Sequence, residues 1–80
     1  MAVRVLFLGP LADMEGASQR DFDAPLDWAK LLSQVSGTVA AQLGEERVHV
    51  ACGGRVLGDK TTLLAKDGDE VALLPPVSGG

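Results

Sequence analysis

The chain has no tyrosine, one tryptophan, two phenylalanines, one cysteine and one histidine in 80 residues. A lone Cys52 excludes an internal disulfide and any cysteine-based metal site. A lone His49 leaves no His/Cys/Asp cluster and no Ser/His/Asp set for nucleophilic catalysis. Basic residues are few: seven Lys and Arg, scattered along the chain, face eleven Asp and Glu, for a net charge of −4. Polyanion binding needs clustered cations, so no nucleic-acid partner is expected. Long apolar runs are absent too, and nothing approaches the ~20 residues of a membrane span, so no membrane partner is expected. The run Val5-Leu6-Phe7-Leu8 after Arg4 is broken by Gly9-Pro10; it is too short for a secretory signal and lacks a clear small-residue cleavage site. The expected location is cytoplasmic. Nor is there a nucleotide-binding glycine loop, because Gly53-Gly54 opens no helix and Gly79-Gly80 ends the chain. The chain is therefore not expected to be an enzyme alone, nor to bind a cofactor.

What is present is aliphatic. The hydrophobic share of 46% is too high for a disordered chain. A domain of this size buries only about 60–65% of its unfolded surface, so Val, Leu and Ala must pack efficiently around Phe7, Phe22 and Trp28. Val3 to Leu8 predicts a strand, apolar on both faces from Val5 onward and therefore central in its sheet. Gly9 to Ser18 carries breakers and charges and predicts a loop, with one helical turn around Leu11–Glu15. Gln19 to Asp23 predicts a short strand in a hairpin with the first, ended by Ala24-Pro25.

The helix has the clearest signposts. Asp27 is an N-cap, with Leu26 before it and Leu31 after it as a hydrophobic staple. Trp28, Leu31, Leu32 and Val35 then share one helical face, which is a core stripe, and Gly37 is the expected stop. Thr38 to Leu43 predicts a second short helical piece ended by Gly44. Val48 to Cys52 predicts a strand with His49 outward and Cys52 as a buried apolar residue. Gly53-Gly54 supplies a positive-φ turn into Arg55-Val56-Leu57. Thr61 to Leu64 predicts an irregular or 3₁₀ segment, and Asp67-Gly68 a turn into the last strand, Glu70 to Leu74. One main helix covers one face of a four- to five-stranded sheet, which is a two-layer α+β domain. The most apolar strands, first and last, are expected side by side and parallel at the centre of a mixed sheet. That is the ubiquitin-like β-grasp, with residues 1–74 as the domain and 75–80 as a free extended C-terminal tail.

The tail is Pro75-Pro76-Val77-Ser78-Gly79-Gly80. Each proline fixes its own φ and holds the preceding residue extended, so the lead-in is semi-rigid. Two terminal glycines put the α-carboxylate on a backbone with no side chains near it, a shape that another protein can draw into a narrow site. A frayed terminus or a Gly/Ser linker does not carry a Pro-Pro-Val lead-in.

The stretch Asp67-Gly68-Asp69-Glu70-Val71 through Pro75-Pro76-Val77-Ser78-Gly79-Gly80 resembles the C-terminus of the small subunit of molybdopterin synthase. The opening Val3-Arg4-Val5-Leu6-Phe7-Leu8 is similar to that family's first strand. The resemblance covers the last fourteen residues closely and the rest loosely. It implies a sulfur carrier in molybdenum cofactor biosynthesis. An ATP-dependent activating enzyme adenylates the Gly80 carboxylate, and a sulfur donor replaces AMP to leave a thiocarboxylate. The tail then enters the large subunit of the synthase and gives sulfur to a pyranopterin precursor, within a heterotetramer. By this resemblance Gly80 is the chemical residue, and Gly79, Ser78, Val77, Pro76, Pro75 and Leu74 contact the partner. Leu74 stands where the family commonly has an aromatic, Cys52-Gly53-Gly54 replaces a turn that often carries Asn, and residues 10–16 lack a common Arg-Glu pair. A partner face is expected on the exposed side of the last strand, from Leu74 and Leu57. The same tail suits a sulfur carrier for thiamine thiazole synthesis or tRNA thiolation, and a ubiquitin-like modifier of protein lysines. A plain interaction domain with an inert tail is the remaining alternative.

Overall fold

Alternation in Val3-Arg4-Val5-Leu6-Phe7 puts Val3, Val5 and Phe7 on one side of a strand, and all three are buried. In a computed structural model describing residues 2–76 this strand is β1 (Ala2–Phe7). A helix α1 (Pro10–Glu15) and the strand β2 (Gln19–Asp23) follow. A two-residue strand β3 (Leu26–Asp27) leads into α2 (Trp28–Gln34) and then α3 (Gly37–Leu43). The second half holds β4 (His49–Cys52), β5 (Arg55–Val56), a 3₁₀ turn (Lys60–Thr62), β6 (Leu64–Ala65) and β7 (Glu70–Leu74).

The main sheet has the order β2-β1-β7-β4-β5. β1 and β7 are neighbours and parallel, with Val5 beside Val71 and Phe7 beside Leu73. The other pairings in it are antiparallel. The last strand therefore lies at the centre, and the chain leaves the sheet from its middle strand. Val3, Val5, Phe7, Val50, Val71 and Leu73 form the sheet's contribution to one core with Leu11, Leu31, Val39 and Leu43 from the helices. Burying each such side chain contributes about 1.5–3 kcal/mol, and a domain this small depends on nearly all of them.

The helical layer covers one face as expected and holds three short helices, the piece expected over Thr38 to Leu43 being α3 and the helix at Asp27 being no longer than it. The turn expected near Leu11–Glu15 is a complete α1, with proline in its first turn and Gly16 closing it at φ 82°. Asp27 caps α2 as expected, accepting from the Lys30 N–H at 2.8 Å. Gly37 does not stop α2. That helix ends at Val35, which is extended, and Gly37 opens α3 instead. The reason is Ser36, whose hydroxyl accepts from the Val39 N–H at 3.2 Å and so makes a helix start where a glycine alone suggests a helix end. A small second sheet joins β3 to β6, pairing Leu26 with Ala65 and Asp27 with Leu64. Strands of two residues carry no periodicity, so nothing in the sequence pattern announces them.

The hairpin of β4 and β5 turns through Gly53 and Gly54 at φ 61° and 81°, as the Gly-Gly pair predicts. His49 is exposed, as expected. Cys52 is half-buried rather than buried, because β5 beyond it is only two residues long and leaves that edge thinly covered. Glu15 and Arg20 form an ion pair between α1 and β2, so the glutamate of residues 10–16 finds its arginine outside that segment.

Candidate functional site: the outer sheet face and the root of the tail

The face of the main sheet turned away from the helices has two unlike halves. Register alone assembles the first: Gln19, Leu6, Ala72, Ala51 and Val56 lie in one row across all five strands. The next row toward the C-terminus brings His49 beside Leu74, and the β1–β7 register carries Leu8 to its other side. Leu6, Ala72 and Leu74 are half-buried, while Leu8 and Val56 are exposed at 39% and 56%. These side chains have no covering layer among the described residues, so they form a contiguous apolar half-face. The other half is charged. Arg4 lies between Asp21 and Glu70 in register and pairs with the Asp21 carboxylate at 3.6 Å.

The tail leaves at the apolar end. β7 ends at Leu74, and the Leu8 N–H donates to the Leu73 carbonyl at 3.4 Å to close the β1–β7 ladder. Pro75 is half-buried and Pro76 exposed. Of the residues expected to act, the structure places Leu74 on the apolar half-face with Pro75 and Pro76 directly beyond it. Val77, Ser78, Gly79 and Gly80 lie outside the described residues. Leu57 is not on this face. Its N–H donates to the Val50 carbonyl at 2.8 Å, and its side chain packs against the core. Leu57 therefore shares the inward side with Val50, and Val56 occupies the outward position expected of it. The period of two in strands makes a one-residue error in placement an error of face.

Elsewhere the chemistry is sparse. Grooves of about 230 and 360 Å³ lie at opposite ends of the sheet, one against Arg4, Asp69 and Glu70 and the other against His49, Asp59 and Thr61. Neither brings a nucleophile to a base. Burial pushes the Cys52 thiol upward, and the Asp69 charge adds to that, so it is the opposite of an activated thiolate. Hydrogen bonds from the Thr61 hydroxyl and N–H hold the Asp59 carboxyl below its ordinary range. Among the described residues no three His, Cys, Asp or Glu side chains gather as a metal site, and no helix is long and apolar enough to cross a membrane.

This architecture recurs in solved structures. The chain is similar to Helicobacter pylori molybdopterin-converting factor, solved as the complex of subunits 1 and 2, at 28% identity over 100% of both chains with a TM-score of 0.66. It is similar in fold to Haloferax volcanii SAMP1, at 24% identity over 100% of both chains with a TM-score of 0.71. It is also similar in fold to a chain of the Amycolatopsis orientalis BexX/CysO complex, at 22% identity over 99% of this chain and 100% of that one with a TM-score of 0.73. No curated protein matches the sequence. The model of the ThiS family matches residues 5–80, from the middle of β1 to the terminal glycine. With that match spanning nearly the whole β-grasp and its tail, the chain belongs to the ThiS family of ubiquitin-like sulfur carriers.

Proposed function

We propose that this chain carries sulfur for molybdenum cofactor biosynthesis as the small subunit of molybdopterin synthase. The observation that carries the reading is the likeness over the full length of both chains to molybdopterin-converting factor from Helicobacter pylori. The Pro-Pro-Val-Ser-Gly-Gly ending supports it. In this reading a Gly80 carboxylate oxygen attacks the α-phosphate of ATP in an activating enzyme, and pyrophosphate leaves. Hydrosulfide released by a sulfur donor then attacks the acyl carbon and AMP leaves, which gives the thiocarboxylate. A carboxylate is a poor electrophile, so the adenylation must come first. The sulfur-loaded tail enters the large subunit, where the thiocarboxylate sulfur attacks the pyranopterin precursor. Water then cleaves the acyl–sulfur bond, leaving the sulfur on the precursor and returning the Gly80 carboxylate. Acid and base groups come from the partners, and ATP is held by the activating enzyme rather than by this chain.

The outer sheet face supports the docking half of the reading. An apolar half-face that adjoins the tail exit offers a partner a surface to bury while the tail enters its site. Leu74, Pro75 and Pro76 lead from that face into the tail, and Val77, Ser78 and Gly79 complete the path to Gly80. A heterotetramer of two small and two large subunits follows from the same reading.

The test is the intact mass of the protein purified from cells that hold its activating enzyme and sulfur source. A species heavier by the exchange of one oxygen for sulfur, mapped to Gly80 and lost when Gly80 is deleted, is the expected result. Co-purification of a large subunit of the synthase assigns the pathway. Adducts to protein lysines instead of a thiocarboxylate would move the chain to the modifier class. A carboxylate that stays unchanged with ATP and several activating enzymes would end the carrier reading.

A further inference from the structure

The longer edge of the main sheet is open. β2 stands last in the strand order and pairs only with β1. Register decides which of its backbone groups are engaged. The Arg4 N–H donates to the Asp69 carbonyl at 3.1 Å and the Leu8 N–H to the Leu73 carbonyl, so the even residues of β1 turn their backbone toward β7. The odd residues bond to β2, as the Phe7 N–H does to the Ser18 carbonyl at 2.8 Å. That alternation runs on through Val5 with Arg20 and Val3 with Phe22. It leaves Gln19, Asp21 and Asp23 with their N–H and C=O groups pointing out of the sheet. All three residues are exposed, and among the described residues none of these groups has a hydrogen-bond partner.

A row of open donors and acceptors accepts a further strand, and the side chains beside it select which strand. Gln19, Asp21 and Asp23 share the outer face with Arg4, while Phe22 is buried on the inner one. A second copy pairing antiparallel along the whole of β2 would set Asp21 against Asp21, and like charges directly opposite destabilise a pair. Asp21, Asp69 and Glu70 line one groove with Arg4 as its single cation, so the outer side of the edge favours positive charge.

We infer that the β2 edge binds an extended segment of a partner protein with lysine or arginine at every second position. The segment continues the ladder at Gln19, Asp21 and Asp23. Directly opposite residues in a ladder share a face, so its cations stand beside Asp21 and Asp23. The residues between them turn inward, next to Arg20 and Phe22, and are apolar. Backbone bonds hold the segment and charge selects it. The acidic end of the edge lies beside Ala2 and Arg4, at the far end of β1 from Leu8 and the root of the tail. The site is therefore separate from the apolar half-face, and it stands whether or not Gly80 is ever activated.

The probe is a capped peptide of alternating lysine and valine, added to the full chain at low salt and followed by amide hydrogen exchange. At saturation, exchange at Gln19, Asp21 and Asp23 is expected to slow about tenfold, with Arg20 and Phe22 changing less because β1 already engages them. Asp21→Asn combined with Asp23→Asn should weaken binding about fivefold with an unchanged melting temperature. The same peptide N-methylated at its lysine amides keeps its charge and loses its ladder donors, so it should give no protection. That arm uses the wild-type chain alone and decides the matter even if the double variant does not fold. Equal protection by the methylated peptide, or no slowing at the three amides with millimolar peptide, would overturn the inference. Protection that appears without peptide and grows with protein concentration would assign the edge to a second copy and overturn it as well.

Discussion

Glu15 holds a nearly buried carboxylate, 3% exposed, against the guanidinium of Arg20, which is 40% exposed. The other Glu15 oxygen accepts from the Ser36 N–H at 2.8 Å. Arg20 in turn donates to the Gln34 carbonyl at 3.2 Å and lies over the Phe22 ring at 4.7 Å from its centroid. One carboxylate thus joins the end of α1, the edge strand β2 and the link between α2 and α3. Three helices of six or seven residues are too short to stand alone in water. They are fixed by what they pack on and by this polar junction.

Glu15→Ala should therefore destabilise the domain by about 1–3 kcal/mol, since it leaves the Ser36 N–H without its acceptor and Arg20 with only the Gln34 carbonyl. Arg20→Met should cost less, because that side chain is partly solvated and its exposed share of the pair is screened. Urea unfolding of the two single variants and the double variant gives the coupling energy, expected at about 1 kcal/mol. Additive losses would mean that Glu15 acts only through Ser36.

The two faces of the sheet separate docking from stability. Ala72→Glu and Leu74→Glu put a charge on the apolar half-face without entering the core, and each should weaken capture of the large subunit by about 30-fold or more. Melting temperatures should stay near wild type. Leu57→Ser should do the reverse, lowering stability and sparing docking, because Leu57 packs inward. Surface plasmon resonance beside thermal melts reads both. Equal loss of docking in Leu57→Ser would return that residue to the outer face.

Much of this layout is legible from the sequence where a residue type has a single physical use. The positive-φ turn at Gly53-Gly54, the cap at Asp27 and the parallel pairing of the two most apolar strands follow from backbone freedom, hydrogen-bond acceptance and burial. The misreadings come where one residue serves two purposes. Gly37 has the look of a helix stop, yet Ser36 before it caps a new helix. Asp27 is a strand residue and a cap at once, and β6 pairs with it through two residues that carry no pattern. Leu57 is assigned to the wrong face by sequence because an edge strand of two residues gives no alternation to read. The outer face is harder still. Its row of Leu6, Ala72, Ala51 and Val56 comes from four strands far apart in sequence and exists only through register.

Lys60 illustrates a contact that no motif announces. Its ammonium donates to the Val48 carbonyl at 2.8 Å and also to the Glu45 carbonyl, tying the 3₁₀ turn to the approach to β4. Lys60→Met keeps the aliphatic stem and removes both bonds, so the expected loss is about 1–2 kcal/mol. Hydrogen exchange should show faster opening at Val50 in β4 and at the Leu57 N–H, which donates to the Val50 carbonyl beside this latch. A stable variant with unchanged exchange would mean that water replaces the ammonium at no cost.

The single cysteine yields a prediction with a defined pH sense. Cys52 is pushed upward by burial first and by the Asp69 charge second, so less of it is thiolate at neutral pH than in an ordinary exposed cysteine. Only the thiolate is nucleophilic. Alkylation by iodoacetamide should be slow at pH 7, slower than for the unfolded chain, and should accelerate as pH rises above the usual thiol range. Asp69→Asn removes the repelling charge and should move the rate profile to lower pH without bringing it to that of an exposed thiol, because the burial contribution remains. Linkage gives the same sign: the fold favours the protonated thiol, so its contribution is complete below the unfolded pKa and is lost as pH rises through the raised folded one. Asp69 also accepts from the Lys66 N–H at 2.8 Å through its carboxylate, and asparagine retains an oxygen for that bond, so the turn before β7 should persist. A profile unmoved by Asp69→Asn would leave burial as the sole cause.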